Sequence, residues 1–172
     1  MLKVFGKNGK NFIKTMLNIG QKHKELRIVD DQVGTPTYTF DLASLLVDMI
    51  ESEKYGYYHA TNAEIPEEKG GYDEQGNPEA GGSCTKEGTR TGYISWYDFS
   101  REIFRQAASL GHPEYDRDHL TLIPVSTEMY GLSKAKRPFN SRLDKRKLED
   151  CGFSPLPDWK DALGRYLKEI AL

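Results

Sequence analysis

Residues 27–43, RIVDDQVGTPTYTFDLA, join a short apolar strand to an apolar helix through a polar turn. The strand ends at Val29, the turn closes with Gly34 and Pro36, and the helix begins at about Phe40. Hydrogen-bonding side chains and exposed backbone held between a strand and a helix are typical of a ligand-binding loop. A tight turn whose aspartates only cap and solvate it explains the same residues. Both interpretations stay open on the pattern alone.

The composition of the 172-residue chain is that of an ordinary soluble protein, long enough for one domain with a sizeable core. Hydrophobic residues make up 37% and charged residues 29%, and the net charge of −2 gives no electrostatic reason to expect nucleic acid or an anionic membrane as partner. No apolar run reaches the length that spans a bilayer. Because Cys84 and Cys151 are the only cysteines, a reducing compartment is indicated, and we expect a cytoplasmic protein.

Alternating strand and helix patterns place the chain in the α/β class. Helical spacing of apolar residues predicts helices over residues 11–23, 41–52, 95–110, 144–151 and 158–170. Strands are predicted at residues 2–6, 26–29, 37–39, 55–61 and 120–125. The helix over residues 41–52 is apolar around most of its circumference, which predicts deep burial. So small a sheet beside so many apolar helices indicates an incomplete sheet, with part of the fold outside this chain.

Residues 62–92 interrupt this order. They are rich in glycine and acidic residues and nearly free of apolar ones. We expect a mobile surface insertion there, within a single lobe that spans residues 1–172. A tolerated insertion is the simpler interpretation, and a lid over a site is the alternative.

No motif for phosphate, metal or acyl-transfer chemistry is present. The chain has no G-x-G-x-x-G loop, no C-x-x-C pair and no G-x-S-x-G elbow, and its four histidines have no paired spacing. Tyr130 and Lys134 spell Y-x-x-x-K, in which a lysine one helical turn away lowers the pKa of a catalytic tyrosine. That chemistry needs a helix, whereas Gly131 and Pro138 indicate a loop, so we do not expect this pair to be catalytic.

A basic, irregular segment over residues 134–142 offers a second candidate site. It places Lys134, Lys136 and Arg137 beside the aromatic ring of Phe139. An arginine in an irregular loop can hold a diphosphate through two parallel hydrogen bonds. A solvated basic surface is the alternative, and it is the commoner use of such a run.

Seven blocks closely resemble the C-terminal part of the dTDP-4-dehydrorhamnose reductases, a family of extended short-chain dehydrogenase/reductases. The blocks are VFGKNGKNFIKTML (4–17), DDQVGTPTYTFDLA (30–43), YGYYHATN (55–62), ISWYDFSREIF (94–104), IPVST (123–127), AKRPFNSRLDKRKLEDCGF (135–153) and PDWKDALGRYLKEI (157–170). They cover nearly the whole chain except residues 62–92 and 111–119. The resemblance implies the substrate-binding portion of a Rossmann-type, NAD(P)-binding fold. It also implies reduction of the 4-keto group of dTDP-4-dehydro-L-rhamnose by NADPH or NADH, giving dTDP-L-rhamnose for polysaccharide biosynthesis.

By the same resemblance, the loop and the basic segment border the nucleotide-sugar cleft. The substrate-binding residues that it implies are Asn11, Gln32, Thr35, Pro36, Thr37, Arg137, Asn140 and Ser141. The family's cofactor loop and its catalytic Tyr-x-x-x-Lys lie upstream of Val4, so no catalytic or cofactor-binding residue is assigned and the chain alone is expected to be inactive. The family usually has tryptophan at the position of Lys3, which indicates a truncated or substituted start. Some members use magnesium at a subunit interface, but no acidic cluster here identifies such a site.

Two other classes stay open. The same fold family includes a non-catalytic regulatory subunit of methionine adenosyltransferase, so a binding or regulatory module is one alternative. A fragment whose exposed apolar surface lacks its sheet partner is the other. For such a fragment we expect a homodimer or a strand-exchanged oligomer.

Overall fold

The computed structural model describes residues 3–62, 93–131 and 137–171. The strands are β1 (Lys3–Phe5), β2 (Glu25–Val29), β3 (Val33–Gly34), β4 (Pro36–Tyr38), β5 (Ile94–Ser95) and β6 (Thr121–Val125). The helices are α1 (Phe12–Gly20), α2 (Thr39–Ile50), α3 (Trp96–Ser109), α4 (Thr127–Tyr130), α5 (Arg146–Asp150) and α6 (Trp159–Glu169), with a 3-10 turn at Pro113–Tyr115. Within these ranges no helix is both long and apolar enough to cross a bilayer.

The described part of the chain contains three sheets, and each has two strands. β1 lies parallel to β4 with Val4 opposite Thr37, and β2 lies parallel to β6 with Leu26 opposite Leu122. β3 pairs antiparallel with β5. Parallel pairs connected through helices confirm the predicted α/β class, and their small size confirms that the sheet is incomplete.

The three helices that surround the main core begin where the sequence provides good caps. Asn11, Ser95 and Asp158 each accept a hydrogen bond from a main-chain N–H in the first turn of α1, α3 and α6. Each cap satisfies an amide that has no partner inside the helix and contributes about 1 kcal/mol. After α3 the chain turns at Gly111, whose φ of 101° lies in the left-handed region. The predicted starts of these helices are confirmed.

One large core lies between α1, α3, α6 and the two parallel strand pairs. Ile103, Leu163 and Tyr166 have no exposed surface there. Aromatic rings fill the centre, because Phe5 stacks on Tyr38 with 5.3 Å between the ring centroids and meets the edge of Tyr166 at 5.2 Å. Removal of this apolar surface from water is the main stabilising contribution to the lobe.

Helix α2 departs from the prediction. Its buried side consists of Asp41 and Leu45. The large apolar side chains on its other side are Phe40, Leu46, Val47 and Ile50, which are 64%, 50%, 51% and 80% exposed. The prediction that this helix is deeply buried is therefore wrong, because nothing in the described ranges covers that side.

Residues 55–61 do not form the predicted strand. Tyr55 and Tyr57 are almost fully exposed in an irregular segment, while the ring of Tyr58 meets Phe153 edge-on at 5.6 Å between centroids. Tyrosine has a high β propensity, but a strand also needs a hydrogen-bonded neighbour. None of the described strands lies beside this segment.

Lys3 belongs to strand β1, within the strand predicted at residues 2–6. Its backbone lies opposite Pro36, and the residue is 3% exposed. Its ammonium group donates a hydrogen bond to the carbonyl oxygen of Ile94 and lies 4.6 Å from the centroid of the Trp96 ring. Burial lowers the pKa of Lys3 to about 7. The lysine side chain is therefore part of the core in this lobe.

A buried polar junction fixes α2 to the core. Asn62, which has no exposed surface, accepts a hydrogen bond from the main-chain N–H of Tyr38 at 2.7 Å and donates one to Asp41 at 2.7 Å. Asp41 also accepts two hydrogen bonds from Arg165, at 2.8 and 2.9 Å, and these raise the pKa of the guanidinium. Asn62 is thus part of the folded lobe, and the rest of the predicted insertion at 62–92 lies outside the described residues.

Candidate functional site

The parallel strands β2 and β6 end side by side, and polar residues follow both. Val29 lies opposite Val125 at the end of the pair. Asp31 accepts hydrogen bonds from the main-chain N–H of Thr127 at 2.8 Å and from its hydroxyl at 2.6 Å. Open α/β sheets place ligand sites at the carboxyl ends of their strands. This edge is therefore a candidate site.

Gln32 is held at the same edge with its side-chain amide in one orientation. Its Nε2 donates to the hydroxyl oxygen of Thr127 at 2.9 Å, and the residue is 6% exposed. The single hydrogen of that hydroxyl goes to Asp31, so the oxygen can only accept from Gln32. The sequence and the strand pairing therefore hold the polar amide of Gln32 in a fixed position next to the strand ends.

Strand β3 joins the two segments that the sequence predicts as site. The main-chain N–H of Val33 donates to the carbonyl oxygen of Phe139 at 2.8 Å. Both the N–H and the hydroxyl of Ser141 donate to the carbonyl oxygen of Val33 at 3.0 Å, across 108 positions of sequence. We call Asp31, Gln32, Val33, Thr127 and residues 137–141 the loop junction.

The predicted residues at or next to the loop junction differ in their access to solvent. Asn140 is exposed and Arg137 is half-buried, so both present surface to a ligand. Thr35, Pro36 and Thr37 are buried and pack inside the protein. The hydroxyls of the two threonines find no hydrogen-bond partner among the described residues. In this structure these three residues support the loop from within.

Asn11 lies apart from the loop junction. Its Nδ2 donates to the carbonyl oxygen of Gly6 at 3.0 Å and to the hydroxyl of Tyr166 at 2.7 Å, while its Oδ1 accepts from the main-chain N–H of Lys14 at 3.0 Å. The side chain therefore caps α1 and connects it to α6. Asn11 also lines a separate cavity of about 610 Å³ beside the ends of β1 and β4. Its hydrogen bonds do not connect it with the other predicted residues.

Asp31 and Thr127 belong to the loop junction but not to the substrate-binding set predicted from the sequence. Each follows the end of a predicted strand by two positions. That spacing is a usable signal only if β2 and β6 are known to be neighbours. The pairing of strands about a hundred residues apart is not visible in a single sequence, so the connection between these two residues was missed.

Tyr130 and Lys134 do not share a described helix. α4 ends at Tyr130, and Gly131 follows with a φ of 60° in the left-handed region. Lys134 lies outside the described residues. Since positions four apart face each other only along a continuous helix, the structure gives no support to a catalytic role for this pair.

The described residues identify no site for the metal or for the nicotinamide cofactor that the resemblance implies. Across residues 3–62, 93–131 and 137–171, no group of three or more His, Cys, Asp or Glu side chains is arranged to hold a metal ion. β1, its glycine-containing loop and α1 form a strand–loop–helix unit, but a first-turn amide of α1 already donates to Asn11. A diphosphate would compete with that cap for the helix N-terminus. No reaction step through either group is assigned to this chain.

Fold and site together define an α/β lobe with a polar loop junction at the ends of parallel strands. The chain belongs to the family described as the RmlD substrate binding domain, which matches residues 2–68 and 85–172.

Named relatives agree with this membership. The chain is 32% identical to spore coat polysaccharide biosynthesis protein SpsK of Bacillus subtilis (strain 168), covering 96% of this chain and 44% of that protein. It is 34% identical to dTDP-4-dehydrorhamnose reductase of Aggregatibacter actinomycetemcomitans, and the match covers 92% of this chain and 45% of that protein. The crystal structure of dTDP-4-dehydrorhamnose reductase from Bacillus anthracis str. Ames in complex with NADP superposes on this chain with a TM-score of 0.71 at 30% identity. The superposition covers 97% of this chain and 46% of that chain.

The chain spans about half the length of the relatives that it matches and corresponds to their C-terminal part. The resemblance predicted from the seven sequence blocks is thereby confirmed. The predicted fold, a portion of an extended short-chain dehydrogenase/reductase, is confirmed as well.

Proposed function

We propose that this chain is the substrate-binding part of an NADPH-dependent dTDP-4-dehydrorhamnose reductase, which converts dTDP-4-dehydro-L-rhamnose to dTDP-L-rhamnose for polysaccharide biosynthesis. The names of the relatives support the reaction, and the NADP in the Bacillus anthracis structure supports the cofactor. The family match supports the substrate-binding role. Because the chain spans about half of these relatives, the reaction as a whole is attributed to the complete enzyme.

The observation that carries the proposal is the hydrogen-bonded contact between the loop at Val33 and the segment that ends at Ser141. A nucleotide sugar presents a diphosphate, sugar hydroxyls and the polar edge of a base. Residues 134–142 contain four cationic side chains and no acidic one, although the chain as a whole has a net charge of −2. The guanidinium of Arg137 suits the diphosphate, and the amides of Gln32 and Asn140 suit hydroxyls or a base edge.

The same proposal assigns substrate binding and the chemical step to two different parts of the enzyme. This chain binds the sugar nucleotide and orients its 4-keto group, while the hydride donor and the proton donor come from the rest of the enzyme. Mixed with NADPH and dTDP-4-dehydro-L-rhamnose, the chain alone is expected to leave the absorbance of NADPH unchanged. Turnover by the chain alone would overturn this division.

Calorimetric titration of the chain with dTDP and with thymidine tests the substrate-binding role. Arg137→Ala is expected to weaken the affinity for dTDP by about tenfold or more, because a charge-assisted hydrogen bond contributes about 1.5–3 kcal/mol. Arg137→Lys should give an intermediate affinity, since an ammonium group keeps the charge but loses the bidentate geometry. The affinity for thymidine, which has no diphosphate, should not change.

Arg117→Ala is the matched control, since Arg117 is exposed and lies outside the loop junction. Its affinity for dTDP should stay within about twofold of the original, because the charge acts over only about 10 Å at moderate salt. Equal losses of dTDP and thymidine binding in Arg137→Ala would show that the arginine only supports the fold. Absence of dTDP binding by the unsubstituted chain would contradict the proposed function.

A further inference from the structure

The two ends of the Gln32 amide differ in what they contact. Its Nε2 donates to the hydroxyl oxygen of Thr127 at 2.9 Å, and that hydroxyl donates to Asp31 at 2.6 Å. The amide is therefore kept from turning over, because its oxygen would then face a hydroxyl whose hydrogen is already used. Its Oε1 accepts no hydrogen bond from the described residues. The loop junction thus contains a hydrogen-bond acceptor whose orientation is fixed.

The second amide of the loop junction is less suited to select between ligands. The Oδ1 of Asn140 accepts the main-chain N–H of Arg142 at 3.1 Å, and Asn140 is exposed to water. Gln32, by contrast, is only 6% exposed. A ligand group that meets Oε1 gives up its water, so a group that cannot donate a hydrogen bond there loses affinity. Gln32 is therefore the residue from which we expect discrimination.

An exposed aromatic residue lies close to this acceptor. The carbonyl oxygen of Phe139 accepts the main-chain N–H of Val33 at 2.8 Å, so Phe139 lies beside the residue that follows Gln32. Phe139 is 61% exposed. A nucleotide base has a flat face that stacks on such a ring and a polar edge that forms hydrogen bonds. The two residues together suit a base, and Arg137, two positions before Phe139, suits the diphosphate attached to it.

We propose that Phe139 stacks on the pyrimidine base of the nucleotide and that the Oε1 of Gln32 accepts the hydrogen of its N3, so that Thr127 sets a preference for thymine or uracil over cytosine. N3 carries a hydrogen in thymine and uracil. In cytosine it carries a lone pair, which would repel Oε1. An amide free to turn over would present its Nε2 to cytosine and accept both kinds of base.

Thr127 is therefore a positioning residue, because it acts through Gln32. The hydrogen bond between them is what prevents the amide from adapting to cytosine. This inference rests on the proposed function and assigns the base of the nucleotide to one part of the loop junction.

Calorimetric titration of the chain with dTDP, dUDP and dCDP tests this assignment. Both dUDP and dCDP lack the methyl group of thymine, so their comparison isolates N3 and the substituent next to it. The original chain is expected to bind dUDP at least about tenfold more tightly than dCDP, because cytosine offers Oε1 no hydrogen. Thr127→Val should reduce this ratio to about twofold or less, since valine is similar in shape but cannot hold the amide of Gln32.

Two matched variants and a stacking variant serve as controls. Thr127→Ser keeps the hydroxyl and should keep the ratio. Thr121→Val makes the same exchange at an exposed position of β6 and should keep it as well. Phe139→Ala should weaken the binding of all three nucleotides by about tenfold, because stacking does not depend on the edge of the base.

Equal affinities of dUDP and dCDP for the original chain would overturn the proposal, and this comparison needs no variant to fold. An unchanged ratio in Thr127→Val, or unchanged affinities in Phe139→Ala, would overturn it too. In each of these cases dTDP still binds, so the proposed function stands. Absence of dTDP binding by the original chain would instead overturn the proposed function and this inference with it.

Discussion

Helices α3 and α2 show how differently two apolar helices can be used in one lobe. On α3, Ile103 has no exposed surface because α1, α6 and the strands surround it. On α2, Ile50 is 80% exposed. The apolar pattern of a sequence indicates how much of the surface of a helix is suited to burial. It does not indicate whether the covering element belongs to the same chain.

Matched substitutions at these two isoleucines give the largest expected contrast. Ile103→Ala should lower the free energy of unfolding by about 3 kcal/mol or more, because it leaves a cavity in a closely packed core. Ile50→Ala should change it by no more than about 0.5 kcal/mol, as is usual for an exposed position. Urea unfolding followed by circular dichroism measures both. Similar losses at the two positions would mean that Ile50 is covered in the isolated chain.

The second contrast concerns ion pairs. Arg165→Met should lower the free energy of unfolding by about 3 kcal/mol, because it leaves the buried carboxylate of Asp41 without its cation. Arg146→Met removes a pair with Asp144 in which both side chains are exposed, so the free energy of unfolding should change far less than in Arg165→Met. The same urea titrations check both values. An equally small loss in Arg165→Met would show that α2 is not anchored through this junction.

The third expectation concerns pH and the buried lysine of β1. The folded pKa of Lys3 is about 7, against 10.5 for an unperturbed lysine. Between these values the unfolded chain binds a proton that the folded chain does not. The contribution of Lys3 to the free energy of unfolding therefore rises with pH, by at most about 1.4 kcal/mol per pH unit.

Lys3→Met keeps the apolar stem and removes the titrating group. Urea midpoints measured one pH unit apart within this window should rise for the original chain and rise less for Lys3→Met. Identical pH dependence in the two proteins would show that the ammonium group reaches water in the folded state.

Much of the fold was predictable because its signals are local. Ser95 with Asp98, and Asp158 before Trp159, place caps at helix starts, and the apolar stripes that follow predict the buried sides. The prediction of a strand at residues 55–61 was wrong for the opposite reason. Its residues have the right propensity, but strand formation depends on a neighbour elsewhere in the chain.

The candidate site was predictable only in its two separate segments. The loop that contains Gln32 and the basic segment with Arg137 each have a composition suited to a nucleotide sugar. Their contact at Val33 depends on strand pairings between distant residues, which no local pattern contains. Asn11 was grouped with them by resemblance, yet its side chain is engaged as a helix cap elsewhere in the lobe.

The most direct test of the account is to follow three side-chain amide signals in the NMR spectrum of the chain as dTDP is added. The central claim is that the nucleotide sugar binds at the loop junction. The account predicts that the amide signals of Gln32 and Asn140 shift on titration, while that of Asn11 stays in place because its amide donates to Gly6 and Tyr166. A shift of Asn11 with no change in the other two would contradict the account and place the site in the cavity beside β1 and β4.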